Sequence, residues 1–140
     1  MATVVDSAPA ATQVSWPGRI PSGIAIAFLL MDAGMKIAGL PAVTEAAAGI
    51  GWPTGVAYWR VMGLVLLACT ALYAWPRMAV LGAILLTGWL GGAIASHLRL
   101  GDPWFSHVLF GTYVCLFVWG GLWLRSPALR ALILFTPAKD

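Results

Sequence analysis

Charge is scarce in this chain. Asp, Glu, Lys and Arg together make up 9% of 140 residues, against 61% hydrophobic residues, whereas a soluble domain carries about 25% charged residues. One domain's length of chain with so little charge excludes an ordinary water-soluble globule. Cysteine is equally sparse. Cys69 and Cys115 stand far apart, each inside an apolar run, which excludes a CxxC redox pair and any cysteine metal-ligand spacing and leaves buried, inert thiols. The first nineteen residues lack early Lys or Arg and a compact apolar core, so they do not read as a signal peptide; residues 1–19 are expected to be a disordered tail. Also missing are a Gly-rich phosphate cradle, an activated Ser or Cys and a pair of catalytic carboxylates. With no catalytic motif to read, enzymatic activity stays an open question at this point.

Long apolar runs are what the chain has in abundance. Four of them, 20–40, 55–75, 78–97 and 105–123, are each near the ~20 residues a helix needs to cross the hydrocarbon of a bilayer. They show no period-2 alternation, and backbone groups in lipid must bond internally, so helices are favoured over a barrel. The expected fold is an all-α integral membrane protein, a four-transmembrane-helix antiparallel bundle over 20–126, followed by a short basic tail over 127–140. Breakers mark the joints: Pro41, Gly51-Trp52-Pro53, Trp75-Pro76-Arg77 and Gly101-Asp102-Pro103. The tight third joint makes the second and third spans a hairpin. Trp16, Trp52, Trp59, Trp75, Trp104 and Trp123 lie at or near the expected span ends, as in an interfacial aromatic belt; Trp89 does not, and Trp119 sits a turn inside. Gly88, Gly92 and Ser96 share one face of the third span, a spacing that reads first as close helix packing and second as the wall of a ligand slot.

A net charge of +3 invites a nucleic-acid reading, but the basic residues cluster at span ends rather than along a stripe, so the partner implied is a lipid bilayer and not nucleic acid. Arg19, Arg77, Arg125, Arg130 and Lys139 fall on one side, Arg60 and Arg99 near the other. The positive-inside rule then puts both termini in the cytoplasm.

That topology gathers the polar residues. His97 ends the third span, His107 begins the fourth, and Arg99 and Asp102 lie between them; Arg60 opens the second span on the same side. Asp32 and Lys36, at i and i+4 in the first span, share a helical face within pairing reach. A charge inside lipid costs ~2.5 to 3.5 kcal/mol, which makes an intramembrane acid a candidate site residue. Each of the seven also has a plainer reading: Asp32 and Lys36 neutralise each other, Lys36 snorkels outward, His97 favours a helix C-terminus, and His107 is an interfacial side chain. Likewise, Asp102 caps the fourth span, and Arg60 and Arg99 anchor headgroups. Together they describe a polar pocket above an apolar floor, with Asp32, Lys36, His97, Arg99, Arg60, Asp102 and His107 as the candidate ligand-binding set. His97 and His107 are ten residues apart across a loop and match no strong metal pattern, so no metal is expected.

From Pro76 onward, PRMAVLGAILLTGWLGGAIASHLRLGDPWFSHVLF and then WGGLWLR closely resemble the DoxX-like family of small four-helix membrane proteins. DAGMK in the first span and LYAWPR closing the second resemble the same pattern, so the likeness covers about residues 22 to 133. It implies a four-span bundle in a bacterial inner membrane. Namesakes of the family include a partner subunit of thiosulfate:quinone oxidoreductase and a component of a membrane oxidoreductase complex, which by analogy implies a membrane redox partner. The positions that match are Asp32, Lys36, His97 and Arg99. The chain departs from many relatives at Leu66, where they carry a glutamate. If that acid serves a shared proton path, this chain has lost it. The leading expectation is a bundle binding a lipophilic small molecule, a quinone or isoprenoid, or serving as an accessory subunit. The alternatives are a quinone-coupled oxidoreductase subunit, with His97 or Asp32 relaying protons, and a structural partner docking through the Gly88 face.

Overall fold

A computed structural model describes residues 16–133. Of the tails expected over 1–19 and 127–140, residues 1–15 and 134–140, Lys139 among them, lie outside the described residues. Within them the chain is helical, and four stretches are long and apolar enough to cross a membrane: Pro17–Ala38, Val56–Ala74, Ala79–Leu100 and Trp104–Arg125. The elements in chain order are α1 (Trp16–Ala38), α2 (Pro41–Gly49), α3 (Val56–Ala74), α4 (Ala79–Leu100), a π-helical turn (Trp104–Val108), α5 (Phe110–Arg125) and α6 (Pro127–Ile133).

The long helices form a ring: α1 and α4 lie diagonally opposite, and each packs against both α3 and α5. Short connections make every neighbouring pair antiparallel. The expected hairpin is the tightest joint, with α3 and α4 separated only by 75–78. Three boundaries differ from expectation. Helix α1 begins at Trp16, ahead of residue 20. The start of the expected C-terminal tail is α6, with Leu129 buried on the bundle. The first inter-span loop is itself a helix, α2, begun by Pro41 at its first position, where the missing N–H costs nothing.

The bundle is held by one buried cluster that includes Leu29, Ala33, Leu66, Tyr73, Leu86, Val118 and Leu122. Leu66 is fully buried, so the position that is acidic in many relatives is here part of the apolar core. Small residues set the close approaches, though not those expected. A Cβ on Gly82 would overlap the Tyr73 backbone, one on Gly121 would stand 2.7 Å from the Ser22 nitrogen, and one on Gly63 2.9 Å from the Ala33 carbonyl. Gly88 and Gly92 have nothing within 4 Å of that position. The reading of the Gly88 face as a packed helix contact is therefore corrected: no neighbouring helix fills it.

Candidate functional site

What Gly88, Gly92 and Ser96 face is a cavity of about 520 Å³ in the α2 half of the bundle. That size falls within the ~300 to 1,000 Å³ range of small-molecule sites. Helix α1 supplies Phe28, Leu29, Asp32, Met35 and Lys36; α3 supplies Tyr58, Trp59 and Met62; α4 supplies Trp89, Leu90 and His97; the π-turn and α5 add His107 and Phe110. Helix α2 turns Ala42, Val43, Ala46, Ala47 and Ile50 toward the space, one apolar stripe at helical spacing, while Glu45 and Ala48 face away, exposed. Backbone anchors hold α2 and its connections in place. Arg99 donates to the Ile50 carbonyl at 2.8 Å, and Arg60 donates to the Ile37 carbonyl at the end of α1 at 3.2 Å.

The polar groups fall into two pairs. On α1, Lys36 Nζ donates to Asp32 Oδ1, the i,i+4 pair expected from spacing. The Lys36 ammonium also lies 5.9 Å from the centre of the Trp59 ring, a cation–π distance. Across the cavity rim, His97 Nδ1 lies 2.6 Å from Asp102 Oδ2, and the His97 and His107 rings meet edge to face at 5.6 Å between centroids. Gly101 makes the first contact possible. It ends α4 in the left-handed conformation at φ 71°, which favours glycine, and the chain turns back so that the Asp102 amide donates to the His97 carbonyl at 3.2 Å.

Of the seven residues singled out from the sequence, Asp32, Lys36, His97 and His107 line this cavity. Asp102 stands behind His97. Arg60 and Arg99 serve backbone carbonyls, Arg99 also bordering a shallower cleft with Gly51, Trp52 and Ser96. The aromatic wall is what sequence reasoning missed. Trp52, Tyr58 and Trp59 form a cluster with ring centroids 5.4 to 6.4 Å apart, and Trp52 Nε1 donates to Ser96 Oγ at 3.1 Å. Phe28 and Phe110 meet at 5.3 Å below. Trp89, the tryptophan that did not fit an interfacial belt, was the one available signal.

The far end of the bundle holds a second polar network, and it is closed. Tyr73, fully buried, donates its hydroxyl to the Val118 carbonyl at 2.8 Å, so Ser22 Oγ, 2.9 Å away, is the donor to Tyr73. Arg125 lies 5.0 Å from the Tyr73 ring centre and donates to its carbonyl at 3.2 Å; its Nε is buried with no partner. Among the described residues, no group of three or more His, Cys, Asp or Glu comes together as a metal site.

Four apolar spans in a ring around a partly polar cavity define a small polytopic membrane protein. The profile of the DoxX-like family matches residues 20–121, and the chain belongs to that family. No curated protein and no solved structure matches it.

Proposed function

We propose that the protein binds a lipophilic small molecule of the quinone or isoprenoid class, its ring or head among the Trp52–Tyr58–Trp59 cluster, the Asp32–Lys36 pair and His97. One observation carries this reading. A cavity of about 520 Å³, walled mostly by apolar and aromatic side chains, has its few polar groups gathered at the α2 end, the arrangement expected of a site for a molecule with an apolar body and a polar head. Against the docking alternative stands the place of Gly88 and Gly92 on the cavity wall.

The protein resides in a bacterial inner membrane with both termini cytoplasmic, which places α2 and the cavity mouth on the outer side. Supporting this, the described basic residues at the closed end are Arg19, Arg77, Arg125 and Arg130, as the positive-inside rule favours. A single cysteine at exposed Glu45, with both native cysteines replaced by alanine, should react with an impermeant thiol reagent applied to intact spheroplasts. Reaction only after permeabilisation reverses the orientation.

The binding reading is tested by mass spectrometry of lipophiles retained by gently purified protein, wild type against Gly92→Leu, which projects an isobutyl group into the cavity. The expected result is a recurring molecule enriched over bulk lipid in the wild type and absent from the variant. Equal lipid profiles in both would refute the reading.

A further inference from the structure

The His97–Asp102 contact sets the polarity of what the cavity can recognise. Resting on the lipophile reading above, we propose that His97 Nε2 is a hydrogen-bond acceptor for a phenolic hydroxyl, with Asp102 as the positioning residue that makes it one. The cavity thereby prefers a hydroxylated aromatic lipophile over its ether or quinone counterpart.

Donors and acceptors decide the point. A carboxylate only accepts, so the 2.6 Å contact between Asp102 Oδ2 and His97 Nδ1 requires the proton on Nδ1; the neutral ring then carries its lone pair on Nε2. Ring and carboxylate are held by the same turn, through the Asp102 amide on the His97 carbonyl at 3.2 Å and the left-handed Gly101 between them. The Nδ1 contact is the one side-chain hydrogen bond His97 makes among the described residues, and the ring lines the cavity, which leaves Nε2 for an occupant. Two neighbouring groups have partners of their own. Lys36 is engaged by Asp32, and His107 turns its own Nδ1 to Ser106 Oγ at 2.8 Å. A carboxylate behind a histidine fixes the tautomer and strengthens the ring as an acceptor. The aromatic character of the wall, with Phe28, Trp59, Trp89 and Phe110 around the space, selects a ring beneath that hydroxyl rather than an alkyl chain, since flat π faces stack on one another.

The test uses the full chain in nanodiscs, with retention of four probes measured against empty nanodiscs: 4-nonylphenol, its methyl ether, the corresponding nonyl-1,4-benzoquinone and dodecanol. Wild-type protein should hold the phenol ~10-fold more tightly than the other three, the ratio of one net hydrogen bond of ~1.4 kcal/mol. Asp102→Asn should lower phenol affinity to that of the ether and leave the ether unchanged; Asp102→Glu should restore part of the ratio. Because the ether reports folding and cavity integrity within the same sample, a variant that merely misfolds loses both and is distinguished by His97→Leu, which has no acceptor and should again lose only the phenol preference. Equal binding of phenol and ether to the wild type overturns the inference while leaving the lipophile reading standing. Tighter binding of the quinone overturns it, dodecanol equal to the phenol removes the ring requirement, and an Asp102→Asn variant with the wild-type ratio removes Asp102's role. Binding of none of the four overturns both the inference and the reading it rests on.

Discussion

The two ends of this bundle use the same residue types to opposite effect. At the closed end, Gly18, Gly82 and Gly121 lie against Arg125, Tyr73 and Ser22 so tightly that a single Cβ has no room, and the hydroxyls of Ser22 and Tyr73 are spent on one another and on the Val118 carbonyl. At the α2 end, Gly88 and Gly92 have no atom to meet, and the aromatic rings that elsewhere would fill such a space stand around it. In lipid, helices gain nothing from apolar burial as such and associate through close contact. The closed end therefore supplies much of the adhesion, with Gly63 against Ala33 and Gly111 against Ile94 adding to it nearer the cavity. A void forgoes those contacts, so its persistence on one side only marks the α2 end as the part shaped for something other than stability.

If that division is right, the largest stability effects lie at the closed end. Gly82→Leu must displace the Tyr73 backbone, not a flexible side-chain tip, and should cost at or beyond the upper end of ~1 to 3 kcal/mol for overpacking. Thermal unfolding in detergent should show a much lowered midpoint or no folded protein; a midpoint near wild type would mean that α3 and α4 do not meet as described. Next in size, Tyr73→Phe leaves the Ser22 hydroxyl, 2% exposed, without its acceptor, a loss of ~1 to 3 kcal/mol. Adding Ser22→Ala should recover part of it, since removing both partners spares the desolvation penalty. Strictly additive single and double variants would dissolve the network.

How much of this was legible beforehand follows the same line. Span length, hairpin and charge asymmetry are read from one-dimensional pattern, and the Asp32–Lys36 pair from helical spacing alone, so these stand in the structure where the sequence puts them. Helix α2 escaped because PAVTEAAAGI is short and weakly polar, bounded by breakers on both sides like a loop. Trp52 and Trp59 lie near a span end, where a belt residue and a cavity-rim residue look alike. The Gly88 stripe misled for a related reason. Small residues at every fourth position line up on one face whether that face meets a helix or a hollow, and only the neighbour across from it decides which. The glycines that do pack, 18, 63, 82, 111 and 121, are spread over four helices, one or two per helix against a different partner, and leave no such stripe.

A smaller effect is expected where the comparison is least one-sided, at the Asp32–Lys36 pair, which is charged like a structural element yet lines the cavity. Asp32→Asn leaves an ammonium without its carboxylate. Both side chains keep partial exposure, so the cost should be ~1 to 2 kcal/mol, below the ~3 to 5 kcal/mol of a fully buried broken pair. Combining it with Lys36→Met should restore the unfolding midpoint, because replacing both partners is often nearly neutral, and should still abolish retention of the lipophile. A double variant that both folds and retains its lipophile would return the pair to a purely structural role.

The smallest stability effect, and the sharpest contrast, belongs to Gly92→Leu. An ordinary small-xxx-small contact would make it as damaging as Gly82→Leu, but no heavy atom stands within 4 Å of its would-be Cβ. A leucine there extends into free space beside Trp52 and Ser96, and a helix interior favours Leu over Gly by up to ~1 kcal/mol. The unfolding midpoint should therefore stay at or slightly above wild type, while Leu90→Ala, which hollows a position 5% exposed, should cost ~2 to 5 kcal/mol and lower it. Measured side by side in the same detergent, the two variants rank the faces of α4 directly. Should Gly92→Leu prove the more destabilising, α4 would have to be rotated so that the stripe meets a helix, and the cavity, with every function assigned to it, would close.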